Sequence, residues 1–294
     1  MRSTIFRHFT RGQRCFSSYC THPPPPPGNH VNLKKFKYVD KTHLLAKIMS
    51  EQEPTFIHAP AMRRIGKSTT VQMLHLMAQG HRDLFAGMAV NAPDSPFQIG
   101  QEKFSCIYLD FSTVANEYLT PNKVIKRLNK KFVKEAKKQH KLRIKTKACP
   151  GDTLEEWLDS LTQRSNNKVI MLIDEYDSPM TEFLPESPDK AHELCKKMRP
   201  FYRKIKSCSD VFQKVFVTGV SKFSATSMFT DANQFWPLLE KSADYCNLYG
   251  FTEKEIRDTY GVDAYRAEVR QTAGRNAFKD GCHVQRLLFS SRSG

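Results

Sequence analysis

Along the chain, short, nearly unbroken apolar runs alternate with longer stretches of helical periodicity. PTFIHAP (54–60), FSCIYLDFS (104–112), NKVIMLIDEYDSP (167–179) and VFQKVFVTGVSKFS (211–224) are the runs, and YCNLYGF (245–251) is a weaker fifth. Apolar runs of this length without polar alternation predict strands buried on both faces. Between them, Asp40 is placed to cap a helix carrying Leu44, Leu45 and Ile48, and Val71, Leu74 and Met77 recur at helical spacing to about residue 79. Val124, Leu128 and Phe132 form one stripe of a helix spanning 121–147. Thr153 and Glu156 read as a capping box, as do Thr252 and Glu255, and KAHELCKKMRPFYRKIKS reads as helix with an interruption near Pro200. Strands and helices in alternation predict an α/β fold: a parallel sheet flanked by helices on both faces. There is no internal repeat, and the periodicity fades over the last 25 residues.

Charge divides the 294 residues unevenly. The net charge is +16, of which residues 1–30 supply four arginines and no acid, and residues 121–147 supply twelve Lys/Arg against Glu135 alone. The rest is close to neutral, so the chain is not basic throughout. No apolar run approaches the length of a membrane span. The eight cysteines are scattered without a C-x-x-C pair, which predicts reduced thiols, with Cys106 in the core. Residues 1–22 have the Arg- and Ser-rich, acid-free composition of a mitochondrial transit peptide, with Arg7, Arg11 and Arg14 on one helical face. Pro23–Pro27 make 23–31 a stiff polyproline linker. The domain is expected over 32–260, with 261–294 a poorly structured or truncated tail.

HAPAMRRIGKSTT (58–70) joins the first strand to a helix through Gly66-Lys67-Ser68-Thr69. A helix N-terminus presents unpartnered amides and partial positive charge to an anion. Gly66 would let the backbone approach a phosphate, Lys67 would reach its outer oxygens, Ser68 would offer a hydroxyl to Mg2+ and Thr69 a further contact. The first glycine of G-x-x-x-x-G-K-[ST] is missing, because position 61 is Ala. The run VIMLIDEYD ends in two carboxylates at a strand edge: Asp174 is the candidate for the metal's water shell and Glu175 for orienting or deprotonating the attacking water. Thr218 and Ser221, after the fourth strand, are candidates to sense the terminal phosphate. Arg63 and Arg64 read either as phosphate or intersubunit contacts or as solvated loop residues.

Six blocks, YVDKTHLLAKI (38–48), RRIGKS (63–68), IYLDFS (107–112), LIDEYDSP (172–179), VTGVSKFS (217–224) and YGFTEKE (249–255), resemble in content and order the AAA-ATPase-like family of P-loop proteins. Its loops are similar to R-P-R-R-F-G-K-S and also lack the first glycine. The resemblance implies a P-loop NTPase fold of the AAA/ASCE type, with ATP and Mg2+ as cofactors. It carries the phosphate, magnesium and water-positioning roles to Gly66, Lys67, Ser68, Asp174 and Glu175, and its arginine pair to Arg63 and Arg64. Family members often continue past the GFTEKE block into a lid and a region resembling a PD-(D/E)-X-K nuclease. The residues that follow here do not resemble that continuation, and no nuclease activity is expected of them.

The expected function is an ATP-binding, Mg-dependent ATP-hydrolysing domain that couples nucleotide state to a partner. ATP rather than GTP follows from the resemblance and agrees with the lack of an N-K-x-D motif. Two alternatives stay open: a nucleic-acid-binding module working through the basic segment 123–147, and an inactive, truncated pseudo-ATPase. A homo-oligomer or protein partner is left open, and no membrane association is expected.

Overall fold

The computed structural model describes residues 39–115, 118–142, 144–164, 167–185, 187–220, 235–252, 254–255 and 258. The predicted leader, proline linker and tail, and Ser221, lie outside the described residues. Four strands form where the apolar runs lie: β1 (Phe56–His58), β2 (Ser105–Asp110), β3 (Val169–Asp174) and β4 (Phe212–Val217). They are parallel, in the order β2-β3-β4-β1, and a two-residue β5 (Trp236–Pro237) lies beyond β1. β3 is buried at every position, as expected of a central strand covered on both faces.

The fifth strand is therefore not the predicted one at 245–251. Residues Ala243–Tyr245 form a turn of 3-10 helix instead, and Tyr245, Leu248 and Tyr249 are all buried. Spacings of three and one suit a tight turn packed against a core, whereas a strand needs a spacing of two.

Two helices cover one face of the sheet: α1 (Thr42–Ser50) and α2 (Lys67–Ala78) pack with Ile57, Cys106, Ile170, Leu172 and Phe216. Three cover the other: α3 (Pro121–His140), α4 (Pro150–Thr162) and, after the single turn α5 (Ser178–Thr181), α6 (Pro188–Ser207). A short α7 (Leu238–Lys241) follows β5. The second face is the aromatic one: Phe132 meets Trp157 edge-on at 5.5 Å between ring centres, and Phe201 at 6.4 Å. Trp157 is fully buried.

Three predicted helix boundaries change. α3 stops at His140 rather than running to 147, because Lys141 turns left-handed (φ 55°) and the chain returns with Leu142 and Ile144 buried in the core. Asn129 fixes that return by donating to the Lys147 carbonyl at 2.9 Å. α4 starts at Pro150, so Thr153 and Glu156 do not form a capping box; Thr153 Oγ1 accepts from Lys147 N, and Glu156 Oε1 accepts from Lys145 N. Pro200 does not interrupt α6. Met198, Phe201 and Tyr202 anchor the helix on both sides of it, and Gly151 of α4 sits so close that a Cβ there would lie 2.7 Å from the Pro200 carbonyl oxygen. The capping box at Thr252 and Glu255 does form, with Glu255 N donating to Thr252 Oγ1 at 3.1 Å and Thr252 N donating to Glu255 Oε2 at 2.6 Å.

The outer edge of β2 is occupied by side chains from the end of α3. Tyr108 N donates to Gln139 Oε1 at 3.2 Å, and His140 Nε2 donates to the Cys106 carbonyl at 2.8 Å. These satisfy edge groups that an exposed strand would leave open.

Candidate functional site

The strand order carries the site. β1 leads into the Gly66-Lys67-Ser68 turn, β3 ends in Asp174, and β4 lies between them. Backbone pairing continues past the ends of β1 and β4: Ala59 N donates to Val217 O and Ala61 N to Gly219 O, both at 2.9 Å. Position 61 thus prolongs the strand pairing, with no need for the left-handed backbone that favours glycine. The left-handed positions of the turn are Arg64 (φ 66°) and Gly66 (φ 104°). Gly66 is the N-cap of α2, and the first intrahelical bond runs from Thr70 N to Gly66 O at 2.9 Å. The amides before it have no acceptor within the helix.

Lys67 is 3% exposed; its Nζ donates to the Met62 carbonyl at 2.9 Å and lies 3.8 Å from Glu175 Oε1. Burial lowers its pKa, against the pull of Glu175, Asp174 and Asp177. Asp174 is 2% exposed, and burial pushes its carboxyl up to about 6, countered by a hydrogen bond from Ser68 and reinforced by Glu175 and Asp110. The Glu175 carboxyl is also raised, first by burial. Glu175 has a left-handed backbone (φ 52°), and its N–H donates to Asp174 Oδ1 at 3.0 Å. An isolated non-glycine residue in that region costs roughly 1 kcal/mol or more.

The structure thus brings Gly66, Lys67, Ser68, Asp174 and Glu175 together. Thr69 is half-buried in the first turn of α2, and Arg63 and Arg64 are exposed on the turn. Arg63 acts electrostatically on both Lys67 and Glu175. Thr218 is fully buried, and its hydroxyl donates to the Ala59 carbonyl at 2.7 Å, inside the protein.

Sequence reasoning missed several supporting residues. Tyr108 donates from its hydroxyl to Asp174 Oδ2 at 3.5 Å, is itself bonded by Gln72, and packs against the His75 ring at 5.8 Å. Its place two residues before Asp110, which is in register with Asp174, was the available signal. Asp177 accepts Val220 N on both carboxylate oxygens at 3.1 Å, and Gly219 packs so close to Asp177 and Tyr176 that a Cβ would collide with both. From the 245–255 block, Tyr249 donates to the Ala59 carbonyl at 3.2 Å and Gly250 N to the Ile65 carbonyl at 3.1 Å, while Lys41 binds Glu255 at 3.1 Å. That block therefore braces the turn from behind. Chemically, the site offers an anion a helix N-terminus and an ammonium, and offers a cation a buried carboxylate and a hydroxyl.

The family model described as AAA-ATPase_like, "Predicted AAA-ATPase", matches residues 29–229. A protein of Azotobacter chroococcum mcd 1, described as "Uncharacterized protein in vnfD 5'region", is 26% identical over 223 residues, a match that takes in 75% of this chain and 40% of that protein. No solved structure matches the chain.

Proposed function

The chain belongs to this predicted AAA-ATPase family, and from that premise we propose that it is a P-loop NTPase that binds ATP with Mg2+, hydrolyses it and couples nucleotide state to a partner. The observation that carries this reading is the hydrogen bond from Ser68 to the buried Asp174, which joins the turn after β1 to the end of β3. The residues fit both groups. Asp174 is held against its ionised form by burial and by neighbouring carboxylates, a condition a divalent cation relieves. Lys67 has a backbone carbonyl and a 3.8 Å ion pair to exchange for phosphate oxygens.

Ser68 and Asp174 would hold Mg2+, which supplies charge neutralisation at the phosphate oxygens. Lys67 binds and orients the phosphates, and Gly66 admits them without a side-chain clash. Glu175, fixed by the backbone bond to Asp174, orients water and takes its proton. Arg63 and Arg64 are exposed on the turn, and in this reading they would serve as contacts to phosphate or to a second subunit. With its hydroxyl bonded to Ala59 O, Thr218 responds to the nucleotide through the position of the turn.

The test is Mg-ATP binding and turnover by the full chain beside Lys67→Ala and Glu175→Gln. The expected result is hydrolysis by the wild type, loss of binding in Lys67→Ala, and binding with turnover reduced by ~10²-fold or more in Glu175→Gln. A wild-type chain that does not bind Mg-ATP sinks the proposal. Binding without turnover removes its hydrolytic half and leaves a pseudo-ATPase.

A further inference from the structure

We propose that the outward face of α3 is a docking surface for duplex nucleic acid, gripped through its phosphates. Lys123, Arg127, Lys130 and Lys134 form the centre line of this face, flanked by Lys126 and Lys137, and all six are exposed. Lys138 and the C-cap Lys141 extend it. At 100° per residue these cations fall within about 120° of the helix circumference and reach ~27 Å along its axis. A duplex presents one phosphate charge per ~1.7 Å of its length, so a straight cationic row of this size meets several phosphates at once.

Neutralisation from within the protein is slight. Glu135, the one acid on α3, accepts from Gln139 at 3.0 Å and lies 4.0 Å from Lys138. Lys131, on the flank, is 3.5 Å from Asp110. Among the described residues, the six cations of the centre line and its flanks have no carboxylate partner.

Chemistry selects among polyanions. The apolar positions of α3, including Val124, Leu128 and Phe132, are buried in the core, so the face has no apolar wedge for a bilayer. It also carries no aromatic ring of the kind on which single strands stack their bases. A duplex held by its backbone is what remains.

The placement of α3 adds a direction. Lys131 faces Asp110 at the end of β2, and His140 faces Cys106 near its start. The helix therefore runs antiparallel to the strand, and its residues before Lys131 continue for ~15 Å past the strand ends. They lie at the same end of the sheet as Asp174, which is in register with Asp110.

The surface is tested without nucleotide, so its failure is separate from failure of the ATPase reading. The full chain is titrated against a labelled duplex of arbitrary sequence, about two helical turns long, across a salt series and read by fluorescence anisotropy. Log affinity is expected to fall against log salt with a slope of about −4, and Lys123→Gln/Arg127→Gln/Lys130→Gln/Lys134→Gln to lose ~10²-fold or more at low salt. The thermal midpoint should be unchanged, because these side chains are exposed. Lys103→Gln/Lys168→Gln/Lys254→Gln, which removes exposed cations elsewhere, should bind as wild type does. No binding at low salt, or wild-type binding by the quadruple variant, overturns the proposal. Tighter binding to single strands or to phosphatidylserine vesicles than to the duplex overturns it in favour of those partners.

Discussion

The two faces of the sheet are built differently. On the α3/α4/α6 face the interior is dominated by apolar and aromatic side chains: Phe132, Trp157, Phe201, Phe212 and Phe56 meet edge to face. On the α1/α2 face, polar bonds join segments far apart in the chain. Lys41 reaches Glu255, Tyr249 reaches Ala59, Asp40 accepts from Ala89 N, and Tyr108 reaches Asp174. Apolar packing is dense and resists deformation, whereas a hydrogen-bonded network has discrete alternative pairings. The first face thus supplies rigidity, and the second holds the elements that a ligand can rearrange.

The largest effect that would break this contrast lies on the aromatic face. Trp157→Ala should destabilise the chain by about 3–5 kcal/mol in a denaturant melt while leaving nucleotide affinity of the folded fraction within a few-fold of wild type. Loss of affinity out of proportion to stability would mean that the faces are not separable.

On the other face, a substitution at the site should stabilise. Asp174 holds its proton more tightly in the folded chain than in the unfolded one. In metal-free buffer, stability should therefore fall as pH rises from about 4 to about 6, by about 3 kcal/mol in all, and stay low above that. Asp174→Asn should abolish this slope, raise the melting temperature at neutral pH and remove the effect of Mg2+ on nucleotide binding. A wild-type curve that climbs over the same window would refute the reading of a penalised buried carboxylate.

The smallest effect is at the backbone of the turn. Arg64 occupies a left-handed position that glycine adopts freely. Arg64→Gly should gain about 0.5–1 kcal/mol of stability, offset in part by the freedom glycine has in the unfolded chain. A loss of stability would mean that the exposed guanidinium makes a contact worth more than the strain.

Strands β1 to β4 and the pairing of Gly66-Lys67-Ser68 with Asp174-Glu175 were legible because burial on both faces imposes an unbroken apolar run, and because strand ends expose polar residues. The parts that escaped depend on partners distant in sequence. Thr153 and Glu156 have the spacing of a capping box, yet backbone amides at Lys147 and Lys145 claim their oxygens. Tyr245 and Tyr249 look like strand residues by type, but their hydroxyls bond to distant partners, Tyr245 to Glu51 at 2.9 Å and Tyr249 to Ala59 at 3.2 Å, which holds them in a turn. β5 was missed because two residues are too few to leave a pattern. Ala61 looked anomalous against the usual loop, and it is the continued pairing with Gly219 that makes glycine unnecessary there.

Gln139 and His140, bonded to the outer edge of β2, bear on how copies of this chain can associate. A second molecule that sought to extend the sheet at that margin would first have to strip off both side chains. Ribbon-like polymerisation through β2 is thereby blocked by two residues at the end of a helix. A ring or stack that uses this side of the molecule must meet helix surface instead, where a neighbour encounters like charge before it encounters backbone.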